Sequence, residues 1–125
     1  MIITNRKNSR SGNYSGFSTS LLLGETNTDS KEISIQVTDV EPNGMQFIHS
    51  HKEEQCYYIV SGDGEIIIDN EKNKVVAGDA IFIPSNSDHG IKNIGNHVLT
   101  YITANRPFGI DRENEIWPLT NNTKK

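Results

Sequence analysis

His49-Ser50-His51-Lys52-Glu53-Glu54-Gln55-Cys56-Tyr57-Tyr58-Ile59-Val60-Ser61-Gly62 sits near the middle of the chain, and the remainder can be read outward from it. Side chains alternate sides along an extended segment, so His49 and His51 leave the same face. Gln55 keeps that parity if the strand resumes after a short connection. A third imidazole, His89, lies in a second strand-like run with its own turn residues, Gly78-Asp79 and Pro84-Ser85-Asn86. Each imidazole brings a polar nitrogen that burial would leave unsatisfied. A divalent metal satisfies all three together. The competing reading is a set of hydrogen-bonded core histidines, which the paired spacing disfavours.

Working outward, the pattern is that of short strands. Ile33, Ile35 and Val37 alternate with Ser34, Gln36 and Thr38, which predicts a strand half-buried through its aliphatic face. After the turn Glu41-Pro42-Asn43-Gly44, Met45, Phe47, His49 and His51 share a parity. Segment 55–61 is apolar on both faces, as is 65–69, and such strands need cover on the outer side. A second subunit supplies it most simply, so a homodimer is expected. Ser61-Gly62-Asp63-Gly64 and residues 69–73 read as hairpin connections. Strands are expected at 18–23, 74–77, 80–83, 88–94 and 97–104. With no helical period of useful length, the fold class is all-β, sandwich or barrel. Residues 1–18, rich in Asn, Ser and Gly, read as an irregular arm. One domain is expected over 19–118, with a short helical turn at 111–116 and Trp117 packed on the barrel. Residues 119–125 are expected to be a disordered tail.

Composition narrows the function classes. The chain has 125 residues and a net charge of -4, enough for one core without staples. No Lys/Arg stripe exists to neutralise phosphates, so no nucleic-acid partner is expected. A lone cysteine, Cys56, fits a reducing cytoplasm. Neither a signal peptide nor an apolar run of membrane-spanning length is found, so no membrane partner is expected.

Two spaced motifs resemble those of the cupin superfamily. The second reads Gly78-x5-Pro84-x-Asn86-x2-His89-x3-Asn93, departing from the family pattern only at Asn86, where glycine is usual. The first reads His49-x-His51-x3-Gln55-x6-Gly62, with Gln in place of the usual Glu; its leading glycine, Gly44, lies one residue closer to His49 than the pattern asks. The resemblance covers about residues 33–104. It implies a jelly-roll barrel, or double-stranded β-helix, holding one divalent transition metal (Fe, Mn, Ni, Zn or Cu) on His49, His51, Gln55 and His89. It also implies a small molecule bound in the barrel and common dimerisation. It does not specify a reaction, because one fold hosts many chemistries.

Gln55 is read as a ligand through its amide oxygen, or as a residue that orients an imidazole or a bound water. As a neutral ligand it leaves both positive charges of the metal uncompensated, which favours anionic ligands. Some members of the family acting on uronate-type sugars have a comparable set of three histidines and a glutamine. Tyr57, pointing inward, could bind substrate or simply fill the core. Glu53 is the other acid/base candidate. Asn86 can take the left-handed backbone its turn requires. Met45, Phe47, Phe82 and Ile91 are read as barrel filling and Cys56 as packing. His97 is read as a surface residue; Arg106 and Arg112, just after the last strand, could bind a carboxylate at the mouth, with a solvated arginine as the default for each. The expected function is that of a small metalloenzyme of the isomerase, lyase or dioxygenase kind. The alternative is a non-catalytic module that binds a sugar or an anion.

Overall fold

The computed structural model describes residues 1–107. Among the described residues ten strands run in chain order: β1 (Arg10–Tyr14), β2 (Phe17–Leu23), β3 (Ser34–Val40), β4 (Met45–His49), β5 (Gln55–Ser61), β6 (Asp63–Ile68), β7 (Glu71–Val76), β8 (Ala80–Ile83), β9 (His89–Asn93) and β10 (Leu99–Asn105). They form a six-stranded sheet, β1-β2-β3-β10-β5-β8, and a four-stranded sheet, β4-β9-β6-β7. Every strand pair is antiparallel. This is the expected all-β jelly-roll barrel. Helix is confined, among the described residues, to a 3-10 turn (Arg6–Asn8) and one α-turn, α1 (Glu25–Thr28).

The two facing sheets enclose an interior that changes character along its length. At one end Val40, Ile59, Ile91 and Leu99 are fully buried. Moving along β10, the inward positions run Leu99, Tyr101, Thr103, Asn105; along β3 they run Val40, Thr38, Gln36, Ser34. On β5 they run Ile59, Tyr57, Gln55, and on β9 Asn93, Ile91, His89. Burial of the aliphatic end supplies the apolar driving force. The other end collects polar groups, each requiring a hydrogen-bond partner or a ligand.

Several expectations are corrected. The irregular arm over residues 1–18 is instead a 3-10 turn followed by a hairpin, with β1 pairing β2 in register from Arg10↔Leu21 to Tyr14↔Phe17. Tyr14 stacks on Phe17, which meets Phe47 edge-on. On β3 the polar parity is the more deeply buried one: Ser34, Gln36 and Thr38 are each 3% exposed, while on the aliphatic parity Val37 is buried, Ile35 half-buried and Ile33, just before the strand, exposed. Alternation was visible in the sequence, but the barrel lining here is hydrogen-bonding rather than aliphatic. Strand β7 starts at Glu71, so the β6–β7 connection is only Asp69-Asn70.

The parity assumed for β4 is also broken. Gln46 pairs with Ile91 and His49 with His89, so three steps on β4 match two on β9. That extra residue is a β-bulge, which re-aims the side chains beyond it. Gln46 consequently faces inward, and so does His49. Gly90 makes the bulge possible: a Cβ there would lie 2.7 Å from the Gln46 carbonyl oxygen. The expected turn at residue 86 is present, with Asn86 in the left-handed region at φ 63°. The expected helical turn at 111–116, Trp117, Arg112 and the tail 119–125 lie outside the described residues.

Candidate metal centre

His49 ends β4, His51 follows in the β4–β5 connection, and His89 opens β9. Their rings converge, with centroids 4.4 Å apart for His49–His89, 4.7 Å for His51–His89 and 5.4 Å for His49–His51. One ligating nitrogen from each lies within 4.8 Å of the others. His89 is fully buried, and burial pushes its pKa below the ordinary imidazole value. It is therefore held neutral.

Backbone carbonyls settle which nitrogen faces the centre. His49 Nδ1 is 2.8 Å from the Phe47 oxygen, His51 Nδ1 2.8 Å from the Glu53 oxygen, and His89 Nδ1 2.9 Å from the Ser87 oxygen. A carbonyl only accepts, so each Nδ1 carries a proton, and in the neutral ring the lone pair then falls on Nε2. The buried His89 Nε2 has no hydrogen-bond partner among the described residues. Oriented imidazoles converging in this way suit a transition metal. The residues present fit the group that the family implies.

Gln55 opens β5 at the same end of the barrel and is 7% exposed. Its Nε2 lies 3.5 Å from Asn105 Oδ1, and its buried Oε1 has no partner among the described residues. Glu53 is partly buried, with its backbone oxygen on His51. Tyr57 points inward but sits deeper, 2% exposed and stacked on Tyr101 with centroids 4.6 Å apart. Both tyrosine hydroxyls donate to Gln46 Oε1, at 3.5 Å from Tyr57 and 2.5 Å from Tyr101. Burial raises the pKa of both tyrosines. Arg106 is exposed and pairs with Glu32 at 3.4 Å.

Phe82, expected to fill the barrel, does not and is 54% exposed; Cys56, expected to pack while facing away from the ligands, faces away but is an exposed free thiol. They pair across β5 and β8 on the outer face, where Tyr58 and Val60 are also exposed. His97 is exposed, as expected. Sequence reasoning overlooked Gln46, Ser34, Gln36, Thr103 and Asn105 as lining residues. For Ser34, Gln36, Thr103 and Asn105 the only signal was a polar residue at every second position, which is also what a solvated face looks like; Gln46 carried none.

Residues 36–105 match the model of the Cupin domain family. An uncharacterised protein of Methanocaldococcus jannaschii is 40% identical over 70 residues, covering 55% of this chain and 56% of that protein. The chain thus matches little more than half the length of that relative. Among solved structures, an RmlC-like cupin from Shewanella frigidimarina superposes with a TM-score of 0.73 at 18% identity, covering 89% of this chain and 95% of the other. A predicted oxalate decarboxylase from Thermotoga maritima gives 0.71 at 22% identity, covering 84% and 98%. At such identities the likeness carries the fold and not the substrate.

Proposed function

Because the chain belongs to the cupin family, we propose that it binds one divalent transition metal (Fe, Mn, Ni, Zn or Cu) through His49, His51, His89 and Gln55. We further propose that it is a small metalloenzyme acting on a polar, anionic small molecule in the barrel. The carrying observation is the set of three Nδ1-to-carbonyl hydrogen bonds, which turns three lone-pair nitrogens toward one point. A bound metal supplies Lewis acidity, or redox chemistry if it is Fe or Cu. The chain's own contribution is to fix the imidazoles, to keep His89 neutral by burial, and to offer neutral ligands only. An uncompensated cation attracts carboxylates, and reactions of the isomerase, lyase or dioxygenase kind are the ones to screen.

Elemental analysis after mild reconstitution tests the metal. A stoichiometry near one per chain, lost in His49→Ala, is expected; a value near zero in the wild type refutes the reading. A substrate screen with the identified metal then tests catalysis.

One observation favours a second reading, that of a non-catalytic module for a sugar or anion. The Tyr57 hydroxyl is directed at Gln46 and burial holds it protonated, so it is poorly placed to exchange protons with a ligand. Saturable anion binding without turnover of any anion in the screen would select that reading. The exposed Cys56, Tyr58, Val60 and Phe82 on adjacent strands are offered as the homodimer face, and the exposed thiol suits a reducing cytoplasm. No helix among the described residues is long and apolar enough to cross a membrane.

A further inference from the structure

A carboxamide has two unlike ends. Its oxygen offers lone pairs, its NH2 group has none to give, and a half-turn about one bond exchanges them. A glutamine that is to bind a cation therefore needs something to fix that rotation. In this chain the fixing can be followed outward from a backbone carbonyl. Asn105 Nδ2 lies 2.5 Å from the Arg106 carbonyl oxygen, which only accepts, so Nδ2 is the end turned that way. Asn105 Oδ1 is then turned away from Arg106 and toward Gln55, 3.5 Å from its side-chain nitrogen. Because Oδ1 accepts only, Gln55 must direct Nε2 to it and Oε1 elsewhere. That Oε1 is buried and has no partner among the described residues.

The supporting residue is itself braced. Ser34 Oγ donates to the Asn105 backbone oxygen at 3.0 Å, and Gln36 Nε2 donates to Ser34 Oγ at 3.0 Å. Ser34, Asn105 and Gln55 are register partners across β3, β10 and β5. All four side chains are buried, at 3–7% exposure. We infer that Asn105 is a positioning residue: it turns the Gln55 carboxamide so that the oxygen, and not the NH2, is presented to the metal. This rests on the metal reading above. Asn105 itself touches neither metal nor substrate.

The test titrates metal-stripped protein with Co2+ alone. Binding is followed by visible d–d absorption and by competition with a chelator, and folding is verified by circular dichroism. Asn105→Ala should weaken Co2+ binding 10- to 100-fold, the usual effect of losing a partner that orients a ligand. It should also displace the absorption band in the same direction as Gln55→Ala. In a Gln55→Ala background, removing Asn105 should change neither affinity nor spectrum. In a Gln55→Glu background it should change affinity by less than about threefold, because either carboxylate oxygen can bind the ion. Should Asn105→Ala fail to fold, Asn105→Ser replaces it, its hydroxyl being too short to reach Gln55. A residue that merely completes the strand end would weaken binding equally in all three backgrounds, and that result overturns the inference. So does a wild-type background indifferent to Asn105, while Gln55→Ala still weakens binding. Binding indifferent to Gln55→Ala removes Gln55 from the ligands and the inference with it, leaving the histidines. A wild type that takes up no Co2+ overturns the metal reading itself.

Discussion

Replacing the Gln55 carboxamide by a carboxylate changes the charge at the proposed metal without lengthening the side chain. Gln55→Glu should tighten divalent-metal binding by at least about tenfold, or about 1.4 kcal/mol. It should weaken binding of a carboxylate such as citrate, because the added negative charge opposes the incoming anion. Chelator competition and calorimetry on wild type and mutant measure the two. If neither affinity moves, Gln55 is not a ligand and the preference for anions loses its basis. At this scale much was legible: three histidines fell into one cluster, and Asn86 took the left-handed backbone for which its short polar side chain is suited. Gln46 and Asn105 were not legible, because nothing local distinguishes an amide that braces another buried group from one in water.

Strands were found more readily than their orientation. Most were placed within a few residues from turn chemistry, but the inward-facing set was read incompletely on β3 and β4. On β3 most of the lining is polar, so hydrophobicity alone did not mark Ser34, Gln36 and Thr38 as interior. On β4 the bulge shifts parity, and its sequence mark lies on the neighbouring strand, at Gly90. Gly90→Ala should therefore destabilise the fold by about 1–3 kcal/mol, the usual range for overpacking a filled site. It should also weaken metal binding, since the bulge carries His49; urea unfolding and Co2+ titration read the two effects, and an unchanged midpoint would contradict the contact. The β5–β10 pair yields a pH prediction. Tyr57 and Tyr101 are buried and their pKa values raised above 10, so in alkali the unfolded chain releases protons that the folded one retains. Their contribution to stability is intact below about pH 10, the unfolded value, and is lost as pH rises beyond it. Absorbance at 295 nm should show at least two of the four tyrosines ionising only as circular dichroism reports unfolding. Ionisation of all four in folded protein would contradict their burial.

For the whole molecule the open question is what meets the outer face of the six-stranded sheet. Tyr58 is 50% exposed, Val60 45% and Phe82 54%, and apolar groups gathered on one face commonly mark an interaction site. Light scattering at micromolar concentration should return twice the chain mass, and Phe82→Asp should return the single mass with the circular dichroism unchanged. A wild type of single mass refutes the dimer. The barrel's connectivity has a further consequence, for synthesis. Strand β10 lies between β3 and β5, so the six-stranded sheet cannot close until residue 105 has left the ribosome. The three histidines belong to a stretch complete by residue 93, within which β4, β9, β6 and β7 already form their own sheet. A nascent chain thus has all three imidazoles outside before the strand carrying Asn105 arrives. Until then β3 and β5 present bare edges open to pairing with another chain. The bare edges thus follow from the order of the strands along the chain, and a chain at that stage is open to aggregation that the closed sheet does not invite through those strands.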